Sequence, residues 1–438
     1  MAKGFAKIPR EQHFVLANAT LPAALVDGFA ATPDEDGLIR ADITVRNGAI
    51  ARIDPPGRRT ELAKLDLDRG MIWPCFVDMH THLDKGHIWP RRRNPDGTFA
   101  GALEAVSIDR EMHWRPNDVE RRMDFALRTA YAHGTVLIRT HLDSGPPQHR
   151  ETWPVFAKMR ARWAGRIDLQ AVALFSIDHF ADDAYAREIV DTVAEHGGVL
   201  GAVTFMMPGL KKLIEKIMRA AAERGLDLDF HVDETNDPKA RSLGAIADAA
   251  LKTRFPGRIT CGHCCSLAVQ PDKAAQATLE RVAQAGIAVV SLPMCNLYLQ
   301  DRIAGRTPRW RGITLLHEFT TRGVPVAVAS DNTRDPFYAY GDLDMVEVFR
   351  EAVRIAHFDH PFGNWPAAVA RWPAAIIGRP DRGVITAGGP ADLVLFSART
   401  FTELLARPQT DRTVLRAGKP IDRTLPDYRE LDDIMVIA

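Results

Sequence analysis

The sequence predicts an α/β protein: a (β/α)8 TIM barrel with a small β-sandwich domain formed by its N- and C-terminal flanks. Three observations lead there. Eight short apolar, β-branched runs recur through the middle of the chain, at 76–82, 135–143, 168–176, 200–207, 226–234, 259–265, 288–295 and 325–332. They are almost continuously apolar, as in strands buried on both faces of a parallel sheet. Helix-like segments at 116–133, 182–196, 209–224, 238–253 and 271–285 lie between most of them, several closing on a glycine such as Gly134, Gly197, Gly225 or Gly286, the residue that helix C-termini favour. Eight strands alternating with helices are the signature of the barrel.

Taken in order, the N-terminal flank holds strand-like runs at 14–21, 41–46 and 49–54, with Asn47-Gly48 as a hairpin turn,. The apolar run Met71-Ile-Trp-Pro-Cys-Phe-Val-Asp-Met79 leads into His80-Thr81-His82. After it comes a longer insert, 84–115, which reads as a lid or substrate loop. The C-terminal flank adds 392–396, 413–416 and a polar tail. Neither flank alone closes a core. The expected division is therefore 1–70 with 385–438 as the small β-sandwich domain, and 71–384 as a metal-dependent catalytic barrel.

Composition narrows the partners. Lys plus Arg and Asp plus Glu are both 56 in 438 residues, so the formal net charge is zero. That argues against bulk electrostatic binding to nucleic acid or an anionic membrane. Arg91-Arg92-Arg93 reads as a solvated loop. The opening Met1-Ala-Lys-Gly-Phe-Ala-Lys-Ile-Pro9 lacks the apolar core of a signal peptide, and no run approaches the ~18 apolar residues of a membrane span. Five cysteines do not make a disulfide framework,. The expectation is a cytoplasmic homo-oligomer acting on a small molecule.

The chemistry gathers at predicted strand ends. In a strand, residues two apart share a face, so a run ending in His-x-His aims two imidazoles at one point. His80 and His82 end the first run, His231 and Glu234 close the fifth, His263 the sixth and Asp331 the eighth. Barrel enzymes carry their catalytic residues there. Three or four N/O ligands with an open position make a catalytic ion, which lowers the pKa of bound water to about 7. Glu234, three residues past His231, suits a proton shuttle better than a ligand. Cys261-Gly-His-Cys264 reads formally as a redox pair or half a zinc site, but no second cysteine pair accompanies it. His87, His133, His179 and His196 read as surface or packing residues.

With these motifs in view the chain resembles the amidohydrolase superfamily, and within it the cytosine deaminase-like branch. The resemblance rests on Phe76-Val-Asp-Met-His-Thr-His-Leu-Asp84, Arg139-Thr-His-Leu-Asp143, Phe230-His-Val-Asp-Glu234, Gly262-His263, Asn296-Leu-Tyr-Leu-Gln300, Arg311-Gly-Ile-Thr314 and Ser330-Asp-Asn-Thr-Arg-Asp-Pro-Phe-Tyr338. It spans roughly residues 60–400. The aminotriazine hydrolases of that branch are similar through His80-Thr-His-Leu-Asp-Lys85.

The resemblance implies one Zn2+ or Fe2+ held by His80, His82, His231 and Asp331. His263 would hold or polarise the metal-bound water, and Asp331 would take its proton. Glu234 would protonate the ring nitrogen and serve the leaving ammonia. Metal-bound hydroxide would attack the amino-bearing ring carbon of an N-heterocycle, a C–N hydrolysis of the EC 3.5.4 type. No lysine ends the fourth strand, which favours a mononuclear site. Ser176, Asn332 and Phe337 stand where cytosine-specific members carry other residues, and Gln300 completes the expected substrate contacts. Cytosine, a pterin, isocytosine, creatinine or an aminotriazine fits this reading. The alternatives are a binuclear cyclic-amide hydrolase and a non-catalytic barrel scaffold.

Overall fold

The computed structural model describes residues 5–408 and 411–435. Its strands are β1 (His13–Pro22), β2 (Leu38–Arg46), β3 (Ala49–Asp54), β4 (Ala63–Asp66), β5 (Met71–Pro74), β6 (Phe76–Thr81), β7 (Thr135–Asp143), β8 (Asp168–Leu174), β9 (Leu200–Thr204), β10 (Leu228–Val232), β11 (Ile259–His263), β12 (Ala288–Ser291), β13 (Val326–Val328), β14 (Leu393–Phe396), β15 (Thr413–Arg416) and β16 (Lys419–Pro420). The chain forms two compact units.

The first unit comprises residues 1–78, 128–137 and 344–426. Both flanks join there in one sheet of order β16-β15-β14-β5-β1-β2-β3, with β4 paired to β1. Asn47 and Gly48 turn the β2–β3 hairpin with φ of 50° and 81°, the left-handed pair that a two-residue type I′ turn requires. Alternate side chains such as Leu16, Ile43, Val45, Ile72, Leu393 and Leu415 pack into one buried cluster.

The apolar run 71–79 holds two strands, and the one expected at 76–82 is β6. The run breaks at Cys75. β5 pairs antiparallel with β14, Val394 opposite Trp73, whereas β6 belongs to the sheet β6-β7-β8. Hydrophobicity cannot mark this break, because both halves are buried throughout.

The second unit comprises residues 79–127, 138–343 and 427–438. Its five-stranded sheet runs β13-β12-β11-β10-β9, with neighbouring strands parallel. Single parallel bridges join Val172 to Val199, Ser176 to Val203 and Thr81 to Asp331. β10, β11 and β12 are buried at every position, the condition that makes parallel strands read as continuous apolar runs. Helices α1 (Phe99–His113), α2 (Pro116–His133), α3 (His149–Trp163), α4 (Asp183–Glu195), α5 (Leu210–Glu223), α6 (Ser242–Thr253), α7 (Asp272–Gln284) and α8 (Pro293–Leu299) alternate with the strands. The run 288–295 is strand only to Ser291. Pro293 has no N–H for a ladder and starts α8 instead,.

Arg91 is not a solvated loop residue. It is buried, its guanidinium bonded to Asp109 at 2.8 and 2.9 Å and to Asp118 at 2.5 and 3.1 Å. Removing one partner of such a buried cluster leaves charge uncompensated. Arg91→Ala is expected to cost about 3–5 kcal/mol of stability, read as a lowered denaturant midpoint; an unchanged midpoint would refute the assignment. No helix among the described residues is long and apolar enough to cross a membrane.

Candidate metal and active site

The predicted strand-end residues converge. Nε2 of His80 lies 3.2 Å from Nε2 of His231, which lies 3.4 Å from Nε2 of His82. Oδ1 of Asp331 is 3.2 Å from His82 Nε2 and 3.7 Å from His80 Nε2. Four donors around a tetrahedral ion with ~2.1 Å bonds sit about 3.4 Å apart. The observed spacing therefore fits a single divalent ion.

Local structure explains the convergence. His80 is in β6 and His82 follows it directly. The Asp331 amide donates to the His80 carbonyl at 2.9 Å, and the Thr81 hydroxyl donates to the Asp331 carbonyl at 2.8 Å. Asp331 and His263 both take left-handed backbone, with φ of 63° and 66°. That is uncommon outside glycine and persists where surrounding contacts over-determine it, often at functional sites.

Electrostatics supports ligation. Burial, reinforced by His263, Lys85 and Arg139, holds His80 well below the ordinary histidine range. Burial, with His80 and His141 next, does the same for His231. Burial, with Lys85 and His80 next, does so for His82. The three rings are thus neutral, the form that binds metal.

Glu234 stands beside this cluster. Burial, and then the negative charge of Asp331, raises its carboxyl well above the ordinary range. Its Oε1 accepts from the Asn296 side-chain amide at 3.0 Å, and the same amide nitrogen lies 3.0 Å from His263 Nδ1. With Nδ1 accepting from Asn296, the His263 proton sits on Nε2, which has no hydrogen-bond partner. Asn296 thus bridges Glu234 and His263. In the sequence it opens the motif Asn296-Leu-Tyr-Leu-Gln300, where nothing local marks it out.

A cavity of about 890 Å³ opens above these residues, within the ~300–1,000 Å³ typical of small-molecule sites. His82, His231, His263, Glu234 and Asp331 reach it, as do all four expected substrate contacts, Ser176, Gln300, Asn332 and Phe337. Their polar groups already have protein partners. The Ser176 hydroxyl donates to Asp178, the Gln300 amide to the Glu234 carbonyl at 3.2 Å, and the Asn332 amide to Asp335 at 2.8 Å. Phe337 packs edge-on against Phe99, ring centroids 5.4 Å apart.

The insert 84–115 carries α1, whose Phe99, Leu103, Val106 and Arg110 line the cavity. Lys85 lines it too, its ammonium 3.2 Å from Asp143 and 5.1 Å from the Phe337 ring centre. Burial opposes the Lys85 charge, but Asp143 and Asp335 outweigh it and raise its pKa. Two more residues belong to this region without having been singled out, His141 and Asp229, buried beside His80. The signal for His141 was present, since it lies near the end of β7 as His231 lies near the end of β10. Cys261 and Cys264 are free, and burial raises both thiols well above the ordinary value, so neither is a poised thiolate. His87 is buried against Phe125, at 4.8 Å between ring centres, a packing residue as expected.

Comparison with known proteins agrees with this geometry. The family model described as "Amidohydrolase family" matches residues 170–422. The chain is 59% identical over 436 residues to a pterin deaminase of Rhizobium rhizogenes (strain K84), covering 99% of this chain and 100% of the relative. It is 22% identical over 313 residues to N-isopropylammelide isopropyl amidohydrolase of Pseudomonas sp. (strain ADP), covering 70% of this chain and 74% of that one. Among solved structures, 5-methylcytosine deaminase from Klebsiella pneumoniae superposes with a TM-score of 0.80 at 22% identity, covering 95% and 98% of the two chains. A site of three neutral imidazoles, a carboxylate and a neighbouring acid, in a chain matched by that model over more than half its length, has one consequence: this protein belongs to the amidohydrolase family.

Proposed function

We propose that the protein is a mononuclear, metal-dependent pterin deaminase. It hydrolyses the exocyclic C–N bond of an amino-substituted N-heterocycle, and water replaces the amino group, which leaves as ammonia. The observation that carries the substrate is the 59% identity to a pterin deaminase along essentially the whole chain. The cavity, with the aromatic Phe337 on one wall and the ammonium of Lys85 beside it, suits a flat, polar bicyclic ring.

His80, His82, His231 and Asp331 would hold one Zn2+ or Fe2+. When bound, such an ion would lower the pKa of water and so supply a nucleophile at neutral pH. Asp331 accepts the proton of the attacking water. His263 keeps its Nε2 proton toward that water, because Asn296 occupies Nδ1. Glu234, neutral through burial, protonates the ring nitrogen; the proton taken by Asp331 passes to the departing amine, and the remaining hydroxyl proton returns to Glu234, so both carboxyls are restored. Lys85 presents its ammonium to the ring's oxygen or nitrogen edge. Ser176, Gln300, Asn332 and Phe337 set which ring is accepted, with the 84–115 segment as the outer wall.

This reading includes a closed (β/α)8 barrel. The parallel bridges from Val172 to Val199 and from Thr81 to Asp331 support it, since they join the sheets β6-β7-β8 and β13-β12-β11-β10-β9 at both of their ends. We assign the catalytic role to 71–384 and a supporting sandwich to 1–70 with 385–438. The protein acts on a small heterocycle, without nucleic acid or membrane, as a cytoplasmic homo-oligomer.

The test is an ammonia-release screen over pterin, cytosine, isocytosine, creatinine and an aminotriazine. Pterin is expected to give the highest kcat/KM, and cytosine weak or no turnover. Ser176→Gln is expected to shift preference toward cytosine. Cytosine turnover by the native protein above ~10⁵ M⁻¹ s⁻¹, within the range of proficient enzymes, would overturn the substrate assignment. Two ions per chain would favour a binuclear cyclic-amide hydrolase instead.

A further inference from the structure

We infer that His141 is a positioning residue for the metal centre, holding the His80 ring by stacking rather than by ligation. The inference rests on the proposed metal site. His141 is fully buried. Its ring lies 3.9 Å from that of His80 at 31°, and 4.7 Å from that of His231, nearly perpendicular at 80°. It touches the imidazoles that make the proposed centre and shares with His80 and Asp229 a group of donor atoms within 4.8 Å of one another, while the spacings of 3.2–3.7 Å lie among His80, His82, His231 and Asp331.

A second neighbour constrains His80. A Cβ on Gly262 would fall 2.8 Å from His80 Cε1 and 3.1 Å from Nδ1. Glycine is therefore needed at 262 for the ring to lie where it does. His80 is thus constrained by the close approach of Gly262 as well as by the His141 ring. Its Nδ1 has no hydrogen-bond partner, so the ring is not oriented by the second-nitrogen bond that usually fixes a metal-binding histidine. Packing takes that role here.

The chemistry of His141 fits stacking better than ligation. Both its nitrogens lack hydrogen-bond partners. The nearest carboxylate, Asp229 Oδ2, lies 4.0 Å from Nε2 and already accepts from Arg139 at 3.0 Å. The guanidinium beside Asp229 neutralises the one acid that would help His141 hold a second cation. What remains is the ring face. A neutral aromatic face against His80 favours the partial positive charge that His80 takes on when an ion binds it, by the attraction that aromatic faces have for cations.

The test compares His141→Leu, which removes the ring, with His141→Phe, which keeps it. Zn2+ affinity is measured by competition with a chromogenic chelator, and the visible absorption of the Co2+-loaded protein reports ligand geometry. Thermal unfolding checks the fold. His141→Leu is expected to weaken Zn2+ binding 10- to 100-fold, the usual loss on removing an outer-shell partner, and to shift the Co2+ bands. His141→Phe is expected to stay within about 3-fold of the native affinity with unchanged bands, ring stacking being retained.

Native affinity in the Leu variant would reduce His141 to space filling and overturn the inference. Equal loss in both variants would also overturn it, by making the nitrogens essential. If His141→Leu does not fold, the Phe variant decides alone, since weakened binding there contradicts stacking. Failure of the native protein to bind Zn2+ would instead refute the metal site on which the inference rests.

Discussion

Glu234→Gln is expected to keep fold and bound metal while lowering kcat about 10²- to 10⁴-fold, the range lost with a positioned general acid. The amide still accepts from Asn296, so the Asn296 bridge to His263 survives the change. What disappears is the acidic proton. Burial and the nearby Asp331 charge raise the Glu234 pKa, so the active form is the protonated one. The sign follows: kcat falls as pH rises through that pKa, and the glutamine variant lacks this alkaline limb. The measurement is a pH profile of kcat for both proteins alongside their metal content. Near-native turnover in the variant with its metal in place would remove Glu234 from the chemistry.

His231→Ala is expected to have the larger effect. It removes the donor whose Nε2 lies within 3.4 Å of both other imidazole donors. The remaining set of two imidazoles and Asp331 has lost its central member. Metal content of protein purified without chelators should fall from near one per chain to well below it, and ammonia release to background. His80→Ala should do the same. Full metal content in either variant, or two ions per native chain, would contradict the single four-donor site. A dialysed native protein should recover activity on adding back one equivalent of Zn2+ or Fe2+, whereas His231→Ala should not.

Much of this was legible without coordinates. Parallel strands buried on both faces leave long apolar runs, so β7 (Thr135–Asp143) and α2 (Pro116–His133) lie where periodicity places them. The candidate metal donors were legible for the same reason. A histidine or acid that ends an apolar run has few uses in a core, and His80, His82, His231 and Asp331 do come together.

Other features were not legible, because each depends on partners distant in sequence. The break between β5 and β6 at Cys75 is invisible to hydrophobicity, since β14, more than 300 residues later, draws β5 away. Arg91 looked solvated because the acids that bury it, Asp109 and Asp118, are brought beside it only by the packing of α1 and α2. Asn296 gained its role when the chain turned into α8 at Pro293 and set its amide between Glu234 and His263.

The amino-acid sequence by itself determined the class of chemistry, because ligand types and buried runs are local properties of the chain. The tertiary structure alone decided the shape of the site. Distances of 3.2–3.7 Å between donors up to 251 residues apart, the stack of His141 on His80 and the outer wall made by α1 arise only when remote segments close-pack, and close packing is a property of the folded whole.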